Sequence, residues 1–496
     1  MIRLFLSFFL ISWGALCVAD VNETFESIKS DPNALYAFLK EMPKGGELHY
    51  HIAGGAYPET MLAVAATQNY CLNQQTLAMD LFEKECDGVK AGELSLHPSL
   101  YENTIRAWSM KNFIPGKESG HDHFFAAFYK FINLVADNHI PLIAEVMQRA
   151  ASQNEQYMEI MIMPDKAKST TIANLPVVPA DYRALKQKLL ANKAFVAEID
   201  NTVTVAESLL PTVRQYLGCD KVPEKPGCQL TVRFQYHVLR EQSLDKVFQQ
   251  ALHGFAAASR SHAIVGINLV QAEDGIISLR DYRQQMKIFE FMHQQYPDVH
   301  IALHAGELAP EDVLPENLRF HIHDAIKVGH AERIGHGVDI AFEDNAEELV
   351  SFMARHQIPV EINLVSNKKI LSISGNKHPL RYYLTHKVPV VLSTDDEGLL
   401  RTDLTHQYVE AVMEHGVDYP ALKRISRNAL SYSFLPGKSL WMDTLNAIPV
   451  TVCKDLNSQE CIKFSSQNEK AKLQRELELN LIKFEAPYDK PPILVT

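Results

Sequence analysis

Eight short runs of mostly apolar, β-branched residues recur along this chain, separated by longer stretches whose apolar residues repeat at helical spacing. The runs are Glu47–Ile52, Gln156–Met163, Leu230–Val238, Ile264–Val270, His300–His304, Arg333–Gly337, Val360–Leu364 and Val388–Thr394. Short apolar strands alternating with helices are the pattern of a parallel sheet wrapped by helices. Eight of them predict an α/β fold, a closed (β/α)8 TIM barrel. Ser278–Gln295 and Asn345–His356 read as two of the outer helices, with Leu349, Phe352 and Met353 facing the core.

The pattern breaks between about Tyr70 and Gly120, where two cysteines, Gly88, Gly92, Pro98, Pro115 and Gly116 interrupt it. This segment is expected to be a disulfide-tied insertion after the first strand. The expected organisation is a leader over 1–19, an N-terminal segment with the first strand over 20–69, the insertion over 70–120, the rest of the barrel over 121–440 and an extension over 441–496. Within the extension, Glu469–Lys483 reads as a charged, solvated helix.

Composition limits the partners. A formal charge of -12 over 496 residues, with no cluster of Lys and Arg, argues against a nucleic-acid surface, which needs concentrated positive charge. Arg3, the apolar stretch Leu4–Trp13 and the small residues ending at Ala19 have the anatomy of a secretory signal peptide cleaved near Ala19. No later run is apolar for long enough to suggest a transmembrane span. A secreted or periplasmic location is therefore expected, and cleavage there would remove Cys17 and leave six cysteines. Six cysteines allow 15 pairings. The pairs closest in sequence, Cys71 with Cys86, Cys219 with Cys228 and Cys453 with Cys461, require the least chain rearrangement, and none has the spacing of a zinc ribbon.

In such a barrel the active site lies at the C-terminal ends of the strands. The first strand ends in His49-Tyr50-His51, whose alternation puts both imidazoles on one side. The fifth ends in His304-Ala305-Gly306-Glu307, the sixth in Gly335-His336-Gly337 and the eighth in Ser393-Thr394-Asp395-Asp396. Three imidazoles and a carboxylate, from His49, His51, His304 and Asp395, make a ligand set that suits one zinc ion and leaves a position for water. His336, with the Asp395 carboxylate, could then supply a base and an orienting partner, and Glu307 a general acid on the substrate side. His121, His123, His321 and His323 lie away from strand ends and are read as surface residues or as residues behind the site. Phe124, Phe125, Phe128 and Phe131 have the spacing of a core-facing helix.

These strand ends, together with Met42-Pro43-Lys44-Gly45 before the first, resemble the four signature motifs of the adenosine deaminase family, in the same order. The resemblance runs from about Met42 to Leu435 and implies a barrel of the metal-dependent amidohydrolase type. It implies zinc on His49, His51, His304 and Asp395, proton donation to purine N1 from Glu307, water activation by His336 and a hydrogen bond to N7 from Asp396. The implied substrate is adenosine or a related 6-aminopurine nucleoside, converted to the 6-oxo product and ammonia. The leader, the two-cysteine insertion and Gln156-Tyr157-Met158-Glu159-Ile160 are most similar to the secreted growth-factor branch, in which the insertion is thought to contact receptors or glycans. Three departures stand out. Ile52, Ala53 and Gly54 replace the Asp usual for the ribose, and Gln271 falls in the loop where family members place a glycine facing the purine, so that it enters the substrate-binding set. Asn363-Leu364 replaces a common Cys-Pro, with Ser366-Asn367 kept. Two rival readings stay open: another amidohydrolase activity on the same barrel, or a binding or signalling protein with a vestigial site.

Overall fold

The computed structural model describes residues 20–172 and 181–488. The expected leader lies outside them. The barrel strands are β1 (Glu47–His51), β2 (Tyr157–Ile162), β3 (Thr231–Leu239), β4 (Ile264–Val270), β5 (His300–Ala305), β6 (Arg333–His336), β7 (Val360–Ile362) and β8 (Val390–Leu392). They form one eight-stranded sheet in sequence order, and each neighbouring pair is parallel. All eight expected runs are therefore strands of a single barrel.

Closure between β8 and β1 happens at the strand ends. The His51 N–H donates to the Asp395 carbonyl at 3.0 Å, and the Asp395 N–H to the His49 carbonyl at 3.3 Å. The bonds that shut the barrel are thus made by residues proposed from sequence as metal ligands.

The helices bury their apolar faces on this sheet. Helix Leu244–Ala258 contributes Val247, Phe248, Ala251, Leu252 and Phe255, and helix Ile276–Gln295 contributes Tyr282, Met286, Phe289 and Met292. Side chains of this size each contribute about 1.5–3 kcal/mol when fully buried, so the outer layer holds the barrel round. The polar groups in the barrel floor are paired: the buried Arg333 guanidinium bridges Glu159 and Glu361, each at 2.6 Å.

Cys71 is bonded to Cys86, Cys219 to Cys228 and Cys453 to Cys461. The first bond ties a small antiparallel sheet, Tyr70–Leu72 with Met79–Leu81 and Val89–Lys90, that comes after β1. The charged C-terminal helix corrects the sequence reading. Helix Glu469–Glu485 is not simply solvated: Leu473, Leu477 and Leu481, four residues apart, form a buried stripe. That face packs on helix Tyr419–Ser431, where Arg427 makes two hydrogen bonds to Glu478 at 2.7 and 2.8 Å. The number of charges hid the stripe.

Candidate metal centre

At the strand ends the chain must turn sharply out of the barrel. Gln271, Gly306, His336, Gly337 and Asp395 all take positive φ, between 56° and 83°. For Gln271, His336 and Asp395 this is a conformation that side chains disfavour, and such outliers gather at functional sites. The turns lie at the ends of β4, β5, β6 and β8.

One donor atom from each of His49, His51, His304 and Asp395 lies within 4.8 Å of the other three, and all four residues are buried. The far nitrogen of two of the rings is already committed. His49 Nδ1 lies 2.8 Å from Glu361 Oε2, and His304 Nδ1 lies 2.8 Å from Asn268 Oδ1. Carboxylate and amide oxygens only accept here, so each Nδ1 carries the proton and each Nε2 presents a lone pair. His49 Nε2 is buried and has no hydrogen-bond partner among the described residues, and the Nε2 atoms of His51 and His304 face each other at 3.1 Å. Ser366 Oγ donates to the second oxygen of Asp395 at 2.8 Å.

The electrostatics favour a cation. Burial alone would lower the pKa of His49, but the Asp395 and Glu361 carboxylates on either side of the ring outweigh it and raise it to about 10, the mark of a site that draws positive charge. Burial pushes His51 down to about 3 and His304 well below its ordinary value. Asp395 stays ionised despite burial, held far below the usual carboxylate range by His49 and His336. One anion facing converging imidazole lone pairs suits a divalent ion of zinc type. The donor set fits one such ion.

Around this cluster stand the other groups expected from sequence. His336 Nε2 lies 3.7 Å from Glu307 Oε2 and 3.8 Å from Asp395 Oδ2. Burial, with Asp395 and Glu273 nearby, holds the Glu307 carboxyl well above its ordinary pKa. Burial and Asp395 do the same for Asp396. Asp396 packs against Gly54, where an added Cβ would sit 2.4 Å from Oδ1. Gln271 stands apart: it is exposed, and its side-chain oxygen accepts from the Glu241 N–H at 2.9 Å.

Further residues complete the site. Glu273 accepts from the Gly306 and Glu307 N–H groups at 3.0 and 2.8 Å and from His321 Nδ1 at 2.6 Å, so it fixes the loop that carries Glu307. His321 therefore stands behind the site, as expected, while His323 is half exposed. His237, near the end of β3, is buried 6.4 Å from the His51 ring, and its Nδ1 has no hydrogen-bond partner among the described residues. Phe124 and Phe131 are core residues, and His121 is hydrogen-bonded to Asp274 at 3.1 Å. The signal for Glu361 and Asn268 was a polar residue inside an apolar strand. Such a residue must face an interior polar partner.

The adenosine deaminase family model matches residues 99–441. The chain belongs to this family. Adenosine deaminase of Escherichia coli (strain SMS-3-5 / SECEC) is 33% identical over 188 residues, 38% of this chain and 51% of that protein. Adenosine deaminase of Klebsiella pneumoniae (strain 342) is 38% identical over 137 residues, 27% of this chain and 38% of that protein. The chain thus matches about half or less of the length of these relatives. In fold it is similar to Arabidopsis ADAL complexed with IMP, with a TM-score of 0.54 and 17% identity over 90% of this chain and 99% of that one. The candidate metal centre of this adenosine deaminase-family protein sits where the barrel strands end.

Proposed function

We propose that this protein hydrolytically deaminates adenosine or a closely related 6-aminopurine nucleoside, with one zinc ion held by His49, His51, His304 and Asp395. A zinc ion bound there would activate a water for attack on the purine C6. Glu307, kept protonated by burial, donates its proton to N1, which draws electrons from C6 and prepares the amine to leave as ammonia. Asp396, also held protonated, donates a hydrogen bond to N7, an atom that only accepts. His336 stands on the side from which water attacks and orients it.

The observation that carries this reading is the convergence of four metal donors with two buried carboxyls beside them, Glu307 and Asp396, both held by burial above their ordinary pKa. Two hydrogen-bond donors beside a hydrolytic centre match the two ring acceptors of an aminopurine; an amide substrate has no use for the second. The six paired cysteines support a secreted or periplasmic location, and the disulfide-tied sheet after β1 supports a place in the growth-factor branch, with that insertion as its partner-binding part.

Incubating the purified zinc-loaded protein with adenosine and following the purine absorbance tests the activity. Conversion to inosine is expected. A protein that retains zinc but leaves adenosine intact would point to another amidohydrolase activity, and one that retains no zinc to a vestigial site.

A further inference from the structure

His336 sits at the end of a hydrogen-bonded chain whose far end is a backbone amide. The Leu380 N–H, which can only donate, lies 3.1 Å from His378 Nδ1. That nitrogen must accept, so in the neutral ring the proton is on Nε2, which lies 3.0 Å from Asn367 Oδ1. The Asn367 amide is thereby oriented with its NH2 outward, and Nδ2 lies 2.9 Å from His336 Nδ1. Two donors cannot face each other, so His336 Nδ1 carries the lone pair and Nε2 the proton. All three side chains are buried, which denies water the chance to reverse any link. Asn363 Nδ2 lies farther from the His336 ring nitrogens, at 3.5 and 3.4 Å, than Asn367 Nδ2 does at 2.9 Å, so the Asn367 contact is the one that sets the ring.

We infer that Asn367 and His378 are positioning residues which lock His336 in the tautomer with its proton on Nε2. The ring then presents a hydrogen-bond donor to the reaction site and cannot take a proton there. This deepens the proposed deaminase reading and rests on it for its kinetic consequence. It also changes the role expected from sequence: His336 orients the attacking oxygen by donating to it and is not the base that deprotonates it. Both rings are buried, in keeping with two neutral imidazoles.

Nitrogen-15 NMR of histidine-labelled, zinc-loaded full chain at neutral pH reads the tautomer directly, with the His336 signals assigned by their loss in His336→Gln. The proton is expected on Nε2. Asn367→Asp puts a carboxylate between the rings, which accepts from both and should move the His336 proton to Nδ1. It should also lower kcat on adenosine by about two orders of magnitude with little change in KM. His378→Leu removes the link that orients Asn367 and should give a mixture of tautomers, while His378→Gln, which keeps a donor, should restore the parent spectrum. A His336 proton on Nδ1 in the parent, a doubly protonated ring, or an unchanged tautomer in folded Asn367→Asp would each overturn the inference. If Asn367→Asp does not fold, the parent and His378→Leu spectra still decide it. Absence of adenosine turnover would sink the deaminase reading and leave the tautomer result standing.

Discussion

A histidine that offers one ring nitrogen to a metal must place the proton of the other, and here that need is met by Glu361 for His49 and by Asn268 for His304. His304→Ala removes one of four donors and should abolish zinc retention and turnover together, as metal analysis of the purified protein would show. Glu361→Gln keeps the ligands but loses the charge that makes His49 a strong donor. Zinc affinity should fall roughly ten- to hundredfold, measured by competition with a chelator. Glu307→Gln should behave in the opposite way: zinc stays, and turnover drops by about two orders of magnitude or more, because only the proton donor is gone. A Glu307→Gln protein that turned over adenosine like the parent would remove Glu307 from the mechanism. The four converging donors could be read from sequence because each ends an apolar strand. Asn367 and His378 could not, since neither lies on a strand and their meaning depends on which atom faces which.

At the scale of elements, strands and outer helices were legible because burial on both faces leaves a simple apolar record. The C-terminal helix was misread because its three-leucine stripe is thin against many charges. The start of helix Gly120–Asp137 was also opaque. It is pinned to the loop after β4 through His121, which lies 3.1 Å from Asp274 and 3.0 Å from Asp122. Nothing in a local stretch of sequence announces a pairing between residues so far apart. Burial alone would lower the pKa of His121, but the two aspartates outweigh it and raise it from 6.5 to about 9, with Asp312 also nearby. A histidine raised on folding stabilises fully below its unfolded value and loses that contribution as pH climbs through the folded one. The bridge should therefore protect the helix start at pH 6 and fade through about pH 9. Hydrogen exchange across that pH range on the parent and on His121→Gln checks this. The two proteins should differ at the acid end and converge at the alkaline end, and a difference independent of pH would rule out the bridge as its source.

For the molecule as a whole, the proposed activity raises the question of which part of a nucleoside the barrel mouth would grip, and the feature that bears on it is the turn just beyond β1. The chain passes at once into the short helix Ile52–Gly55, where Gly54 is pressed against Asp396, and the family resemblance implies that Ala53 stands where a ribose-binding carboxylate is usual. A hydrogen bond to a charged group is worth about 1.5–3 kcal/mol, whereas a neutral one is worth about 0.5–1.5. His237 Nδ1, which has no hydrogen-bond partner among the described residues, would offer a neutral hydrogen bond in its place, since burial lowers that ring to a pKa of about 4. Relying on it would give up roughly tenfold in discrimination between a sugar hydroxyl and its absence. Phosphate is disfavoured for a different reason. The loops beyond β4 and β5 carry Asp274 and Asp312, and Arg401 is engaged with Glu59 and the Tyr57 ring. Arg240 is buried, donating to the Leu269 and His304 carbonyls. Arabidopsis ADAL, similar in fold, is complexed with the nucleotide IMP, but these groups leave no free Arg at this barrel mouth among the residues named to hold a phosphate. Steady-state kinetics on adenosine, 2′-deoxyadenosine, 5′-deoxyadenosine and AMP separates these effects. The three nucleosides are expected to have kcat/KM values within about tenfold of one another, with AMP far below them. His237→Leu should then weaken adenosine towards its deoxy analogues and leave those analogues unchanged. A strict requirement for the ribose hydroxyls in the His237→Leu protein would mean that some other group has taken over the lost carboxylate, and AMP outrunning adenosine would mean that the acidic mouth does not govern entry.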